Sequence, residues 1–292
     1  MQWIRDIYEG KKGPVISFEL FPPKTPEGEA NLLGRTLPEL LALKPDYCSV
    51  TYGAGGGTRD RTLRVIEQLA CRHGVVTLAH LTCVNSTRTE IGNVVAQLRG
   101  MGVTNILALR GDPPAGSNGF EKIPGGFEYA WELVRYLKEE GGFSIGVAGF
   151  PEGHPACKEG KLADWEHLVA KIGYGADFVL TQLFFDNADF FQFRDYLRRR
   201  GVKIPIVPGI IPILSAAQIE KFTSLCGARL PDKLRAELAR FADNDDACAA
   251  FGIEYATRQC RELLDAGVPG LHFYTLNKAR STREVLRRLG LA

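Results

Sequence analysis

The residue in this sequence that most asks for a chemical explanation is Glu19. It lies inside Val15-Ile16-Ser17-Phe18-Glu19-Leu20-Phe21, an apolar run bounded by Gly13-Pro14 and Pro22-Pro23 that reads as a buried strand. A charge buried without a partner costs several kcal/mol, so Glu19 is expected to be paired, protonated, or at a strand end facing a polar cavity. A structural ion pair and an acid for proton transfer both meet that requirement.

Other groups able to do chemistry stand at the ends of later apolar runs. They are Thr51 and Tyr52, His80 and Thr82, Arg110 and Asp112, Glu152 and His154, Gln182 and Asp186, and Asn277 and Lys278. Each has a plain structural alternative: His80 could be a core histidine bonded to backbone, Arg110 and Asp112 could pair across Gly111, and Gln182 could satisfy a loop carbonyl. Gly53 to Gly57 could be a turn or a row of N–H groups that cradles phosphate. Their convergence favours a ligand cavity, because one polar group per strand end stabilises a core poorly and lines a binding site well. Metal binding is not expected, since Glu19, His80, Asp112 and His154 come from four strands with no short ligand spacing. No serine sits on a strand-to-helix nucleophile elbow: the G-x-S-x-G at Gly142-Phe143-Ser144-Ile145-Gly146 falls where the strand 144–150 is expected to begin.

The elements that must position these groups alternate without a break. Strands are expected at the opening run and at 46–52, 76–83, 105–111, 144–150, 178–185, 205–211 and 270–276. Helices are expected at 27–43, with Pro38 kinking or dividing it, from about 58, and at 86–101, 127–140, 162–173, 189–200, 215–225, 231–241, 246–266 and 282–289. Alternation of this kind gives parallel strands with right-handed crossovers, and eight such units close into a single (β/α)8 TIM barrel over residues 1–292, with extra helices before the last strand. A doubly wound open sheet is disfavoured, because no G-x-G-x-x-G follows an early strand. In a barrel, chemistry sits at the C-terminal ends of the strands, where these polar groups fall.

Bulk properties narrow the partners. The net charge of +2 on 292 residues is too near neutral for nucleic acid or an anionic membrane, so a small molecule is expected. No leader-like N-terminus and no long apolar span is present, which points to the cytoplasm. Seven well-separated cysteines without C-x-x-C read as reduced thiols, mostly buried.

The segments Phe18 to Thr25, Ser49 to Ala54, Ala79 to Cys83, Ala108 to Asp112, Thr181 to Asp186, Pro208 to Ile210 and His272 to Asn277 closely resemble 5,10-methylenetetrahydrofolate reductase, in its bacterial, catalytic-domain-only form. The likeness runs from the first strand to the last. It implies FAD as cofactor, NAD(P)H as hydride donor, and methylenetetrahydrofolate as the substrate reduced to methyltetrahydrofolate by a ping-pong sequence in one-carbon and methionine metabolism. It leaves room for a homo-oligomer.

By that resemblance Glu19 is the acid that protonates N10 of the folate and opens its five-membered ring. The flanks Phe18, Leu20 and Phe21 are expected to raise its pKa by desolvation. Asp112 stands beside flavin and pterin and helps stabilise a cationic iminium. Gln182, Gln218, Phe222 and Lys278 correspond to folate-binding positions, Phe222 by stacking and Lys278 at the glutamate tail. Thr51, His80, Arg110, Gly111, Asp112, His154, Asp164 and Lys171 fall where relatives contact FAD. Phe150 and His167 join that set although relatives can have tyrosine and asparagine there, and Ala170 replaces an arginine. A flavin-independent folate reductase, or a non-catalytic folate- or flavin-binding subunit, are the alternative readings.

Overall fold

The computed structural model describes residues 2–52, 56–112, 122–241 and 243–292. Eight parallel strands close on themselves in chain order: β1 (Val15–Leu20), β2 (Tyr47–Val50), β3 (Thr77–Thr82), β4 (Asn105–Leu109), β5 (Ser144–Gly149), β6 (Phe178–Leu183), β7 (Ile206–Ile210) and β8 (Gly270–Tyr274). The helices are α1 (Ile4–Gly10), α2 (Pro26–Asn31), α3 (Leu37–Leu41), α4 (Gly56–Glu67), α5 (Arg88–Gly100), α6 (Ala130–Glu140), α7 (Lys161–Gly173), α8 (Asn187–Arg199), α9 (Ala216–Cys226), α10 (Asp232–Ala239), α11 (Asp245–Asp265) and α12 (Ala279–Leu289). The expected (β/α)8 barrel is borne out, and α10 and α11 are the extra helices before the last strand.

Two shells of apolar side chains fix which way each strand residue points, because strand neighbours alternate between faces. Ile16, Phe18 and Leu20 of β1 pack outward with helix residues such as Leu37, Leu40, Val285 and Leu286. Val15, Tyr47, Leu78, Leu107, Phe178, Leu180 and Val207 point inward and form a separate cluster with Ile4 and Ile7 of α1. The inward phase of β1 is therefore Val15, Ser17 and Glu19, and it meets Tyr47 and Ser49 of β2 in register.

Three local features depart from or refine the expected elements. The unexpected helix α1 closes the floor of the barrel: Ile4 N–H donates to Asn105 Oδ1 at 2.8 Å, and Tyr8 reaches the rings of Tyr47 and Phe178. At seven residues it is too short to show helical periodicity beyond Ile4, Ile7 and Tyr8. The expected long helix before β2 is divided, as Pro38 required, into α2, a π-helical stretch Leu32–Thr36, and α3, with Pro38 in the first turn of α3. The helix expected from Ser86 begins at Arg88 because Thr87 and Glu90 form a capping box.

Among the described residues, no helix is long and apolar enough to cross a membrane. All seven cysteines are free; Cys48, Cys83, Cys248 and Cys260 are buried and Cys71 is exposed.

Candidate active site

Glu19 occupies the last full inward position of β1 and is 5% exposed. Its Oε2 accepts from Ser49 Oγ at 3.4 Å and lies 3.3 Å from His272 Nε2 and 3.3 Å from His80 Nε2. Ser49 comes from β2, His80 from β3 and His272 from β8, so three neighbouring strands aim polar groups at one carboxylate. Tyr274, paired with Glu19 in register, forms the adjacent wall. Its hydroxyl donates to Thr181 O at 2.7 Å across the barrel interior, at the point where the β6–β7 register shifts. Gly209 lets that ring pass, since a Cβ there would stand 2.4 Å from Thr181 O and 2.7 Å from the Tyr274 ring.

This chamber corrects the expectation that Glu19 has a raised pKa. Phe18 and Leu20 point outward to the helices, so they are not its surroundings. Burial alone would push the carboxyl up, but the attraction of His80 and hydrogen bonds from His272 and Ser49 outweigh it and hold Glu19 below its ordinary value. Burial in turn pushes the His80 imidazole down, more strongly than Glu19 pulls it up. Its Nε2 makes no hydrogen bond of acceptable geometry despite its closeness to Glu19. Sequence reasoning singles out Glu19 and His80 but passes over Ser17, Ser49, His272 and Tyr274. Their signal was the two-residue alternation within β1, β2 and β8, which becomes informative only with the cross-strand register.

A second cluster gathers at the ends of β4 and β5. His154 N–H donates to Asp164 Oδ2 at 3.1 Å, and the His154 ring meets Phe150 edge-on with centroids 4.5 Å apart. Burial lowers the His154 pKa, with further lowering by Arg110 and Lys171 against the opposing pull of Asp164 and Asp112, so four charged groups face this imidazole. Lys171 Nζ donates to Ala148 O at 3.0 Å, and burial brings its pKa down to about 8. Gly111 has a φ of 87°, and a Cβ there would meet Val84 at 2.6 Å and Thr82 at 3.0 Å. The Thr82 hydroxyl beside it is buried without a hydrogen-bond partner.

The remaining positions spread around the same rim. Thr51 is half-buried just past β2, with its carbonyl accepting from Thr62 Oγ1. Asp112 is exposed, as is His167 on α7. Gln182 turns back on its own strand, Oε1 accepting from Leu183 N–H at 2.9 Å, and lines a small cleft with Phe150, Gly153 and Cys226. Gln218 and Phe222 are half-buried one turn apart on α9, Phe222 against the cluster built by Leu183, Ile211 and Ile219. Lys278 is exposed at the start of α12. Asn277 serves the backbone: its Oδ1 accepts from Phe21 N–H at 3.0 Å and its Nδ2 donates to Phe21 O at 2.6 Å, tying β8 to the segment after Glu19. Of the glycine run, Gly53 to Gly55 lie outside the described residues, and Gly56 opens α4.

A closed parallel barrel with a buried carboxylate, two imidazoles and a polar rim at the C-terminal strand ends defines a TIM-barrel protein with an enzyme-like site. Residues 3–290 match the family model described as methylenetetrahydrofolate reductase. The chain belongs to the methylenetetrahydrofolate reductase family. It is 40% identical over 287 residues to "Methylenetetrahydrofolate reductase (NADH) 1" of Arabidopsis thaliana, covering 95% of this chain and 48% of that protein. It is 37% identical over 276 residues to "5,10-methylenetetrahydrofolate reductase" of Escherichia coli, covering 94% of this chain and 90% of that one. The chain thus spans about half the length of the plant relatives and most of the bacterial one. Among solved structures, an uncharacterised Clostridium thermocellum protein, described as binding two copies of 5-methyl-5,6,7,8-tetrahydrofolic acid, superposes with a TM-score of 0.64 over 98% of this chain and 99% of its own. At 14% identity that likeness carries the fold alone.

Proposed function

We propose that this chain reduces 5,10-methylenetetrahydrofolate to 5-methyltetrahydrofolate at the expense of NAD(P)H, with FAD as its cofactor and residues 1–292 acting as one barrel domain. The observation that carries this reading is the Glu19 carboxylate, buried at the strand-end rim among His80, His272 and Ser49. Pure binding has no need of such a proton donor.

The β3–β5 side of the rim fits a flavin dinucleotide. The partnerless Thr82 hydroxyl, the backbone cradle at Gly111 that a side chain would fill, and the cationic groups Arg110 and Lys171 supply the polar contacts such a ligand needs. Thr51, His80, Asp112, Phe150, His154, Asp164 and His167 complete that set. When bound, FAD would supply a carrier of two electrons that takes hydride from the nicotinamide and gives it to the folate.

The chain's own residues do the rest. Glu19 gives a proton to N10 of the folate, which opens the imidazolidine ring to an iminium. In the open chamber its partners favour the carboxylate, and a covering ligand that excludes water shifts the balance toward the protonated acid. Asp112 places negative charge at the rim where the cationic iminium forms. Gln182 holds the pterin through its amide once it releases Leu183 N–H, Gln218 and Phe222 hold and stack on the ligand, and the exposed Lys278 ammonium meets the glutamate tail.

The test is the absorbance spectrum of the purified protein, followed by anaerobic addition of NADH or NADPH and then of methylenetetrahydrofolate. A flavin spectrum that bleaches with the nicotinamide and returns with the folate is expected. A protein without flavin that still reduces folate overturns the cofactor assignment, and one that does neither overturns the activity.

A further inference from the structure

Glu19 has a second connection, beneath it rather than at the rim. His272 is fully buried, with Nε2 3.3 Å from Glu19 Oε2 and Nδ1 2.8 Å from Ser17 Oγ. Ser17 is the next inward residue down β1 and is in register with Tyr47 of β2, whose phenol its hydroxyl pulls toward a lower pKa. The Tyr47 hydroxyl is in turn 2.9 Å from that of Tyr8 on α1. Ser17, Tyr47 and His272 are fully buried, and Tyr8 is half-buried at the floor. The apolar side chains of Val15, Leu78, Leu107, Phe178, Leu180 and Val207 cluster in the same interior. A file of five groups therefore runs through the barrel from floor to rim.

Every intermediate member of the file can both donate and accept, an imidazole and three hydroxyls. Burial pushes the Tyr47 phenol up to about 12 and that of Tyr8 well above its usual range, so both carry their protons at neutral pH. With Tyr8 donating to Tyr47, Tyr47 to Ser17 and Ser17 to Nδ1, the Nε2 proton of His272 faces the carboxylate. Ser17 has a second acceptor, Leu271 O at 3.5 Å, so the same heavy atoms accommodate the reversed arrangement in which protonated Glu19 donates to Nε2.

We propose that Tyr8, Tyr47, Ser17 and His272 form a proton relay that charges Glu19 from the barrel floor while ligands cover the rim, an inference that rests on the folate-reductase reading above. The Nε2 proton passes to Glu19, the Ser17 proton to Nδ1, the Tyr47 proton to Ser17, the Tyr8 proton to Tyr47, and a proton from water to Tyr8. Each member gives one proton and takes one, so only the carboxylate and the solvent change charge. When the rim reopens, water supplies a proton to Nε2 and the Nδ1 proton returns down the hydroxyls, leaving one proton consumed per turnover. The need is set by the chamber: Glu19 favours the carboxylate while open and must become an acid once its upper access to water is closed.

The experiment uses the flavin-loaded protein with 5-methyltetrahydrofolate as the probe, and follows the carbonyl stretch of a protonated buried carboxyl by stopped-flow infrared. Binding should raise that band in the wild type and not in Glu19→Gln. In Tyr47→Phe it should rise at least ten-fold more slowly, folate reduction should slow equally with a larger solvent deuterium isotope effect, and flavin reduction by the nicotinamide should keep its rate. Tyr8→Phe, at a half-buried position, should show the same pattern. Wild-type rates and isotope effects in both variants overturn the relay, whatever happens to their melting temperatures. A wild type that neither raises the band nor reduces folate overturns the functional reading itself, and the relay with it.

Discussion

Gly209→Ala tests whether Tyr274 is held across the barrel in the way that shapes the Glu19 chamber. The added Cβ would lie 2.4 Å from Thr181 O, 2.7 Å from the Tyr274 ring and 2.9 Å from its hydroxyl, each well inside ordinary contact. The ring cannot retreat freely, because its hydroxyl is bonded to Thr181 O at 2.7 Å, while Gly209 N–H donates to Thr181 Oγ1 at 2.9 Å. Overpacking of this kind costs about 1–3 kcal/mol, and leaving a buried polar group unsatisfied costs about 1–3 kcal/mol more. The expected loss is therefore about 2–6 kcal/mol, measured as a fall in the urea midpoint at constant m-value. In a Tyr274→Phe background the hydrogen-bond share is already gone, so Gly209→Ala should cost about 1–3 kcal/mol less. A loss below about 1 kcal/mol in the wild-type background, or strict additivity of the two changes, would refute the close approach described here.

If the proposed reaction holds, Glu19→Gln should leave flavin reduction by NAD(P)H near its wild-type rate and nearly abolish folate reduction, since in it only the second half-reaction takes up the proton; separate rapid-mixing of the two halves measures it, and retained folate turnover sinks the role. Lys171 has its pKa lowered to about 8, so the fold disfavours its charged form. The unfolded chain binds the proton more tightly, the penalty is full below about 8, and it lifts as pH rises toward the ordinary lysine value. Urea denaturation across that window should show the wild type gaining on Lys171→Met as pH rises, and a difference flat in pH would contradict this. Asn277→Ala removes both bonds to Phe21 and puts alanine at a φ of 55°. A loss of about 2–3 kcal/mol is expected, with Asn277→Gly recovering about 1 kcal/mol of it; equal losses in the two variants would show that the backbone conformation contributes nothing.

The barrel was legible because its signal is repetitive: eight apolar runs each followed by a helical pattern admit few topologies. The Glu19 chamber was legible only by half. Glu19 was conspicuous as a charge among apolar neighbours, yet those neighbours misled, since Phe18 and Leu20 lie on the opposite face of β1. The true surroundings, Ser49, His80 and His272, lie 30 to 253 positions away in sequence, and only the register of β1 with β2 and β8 brings them together. Asn277 was read as lining the cavity, whereas its amide is taken by the Phe21 backbone. Gln182 likewise stood out by type at a strand end, but type could not reveal that it bonds to the next residue. Helix α1 escaped because seven residues hold too few turns to establish a period.

The plug formed by α1 also gives the molecule a direction. The chain enters the fold at the floor, where Gln2 O accepts from Asn105 Nδ2 at 3.2 Å, while the Glu19 chamber opens at the opposite end. A linker or surface anchor joined ahead of Gln2 would hold the barrel bottom-down with its mouth toward solution. Immobilised in that orientation, every copy on a sensor or a bead presents the same face to an incoming molecule.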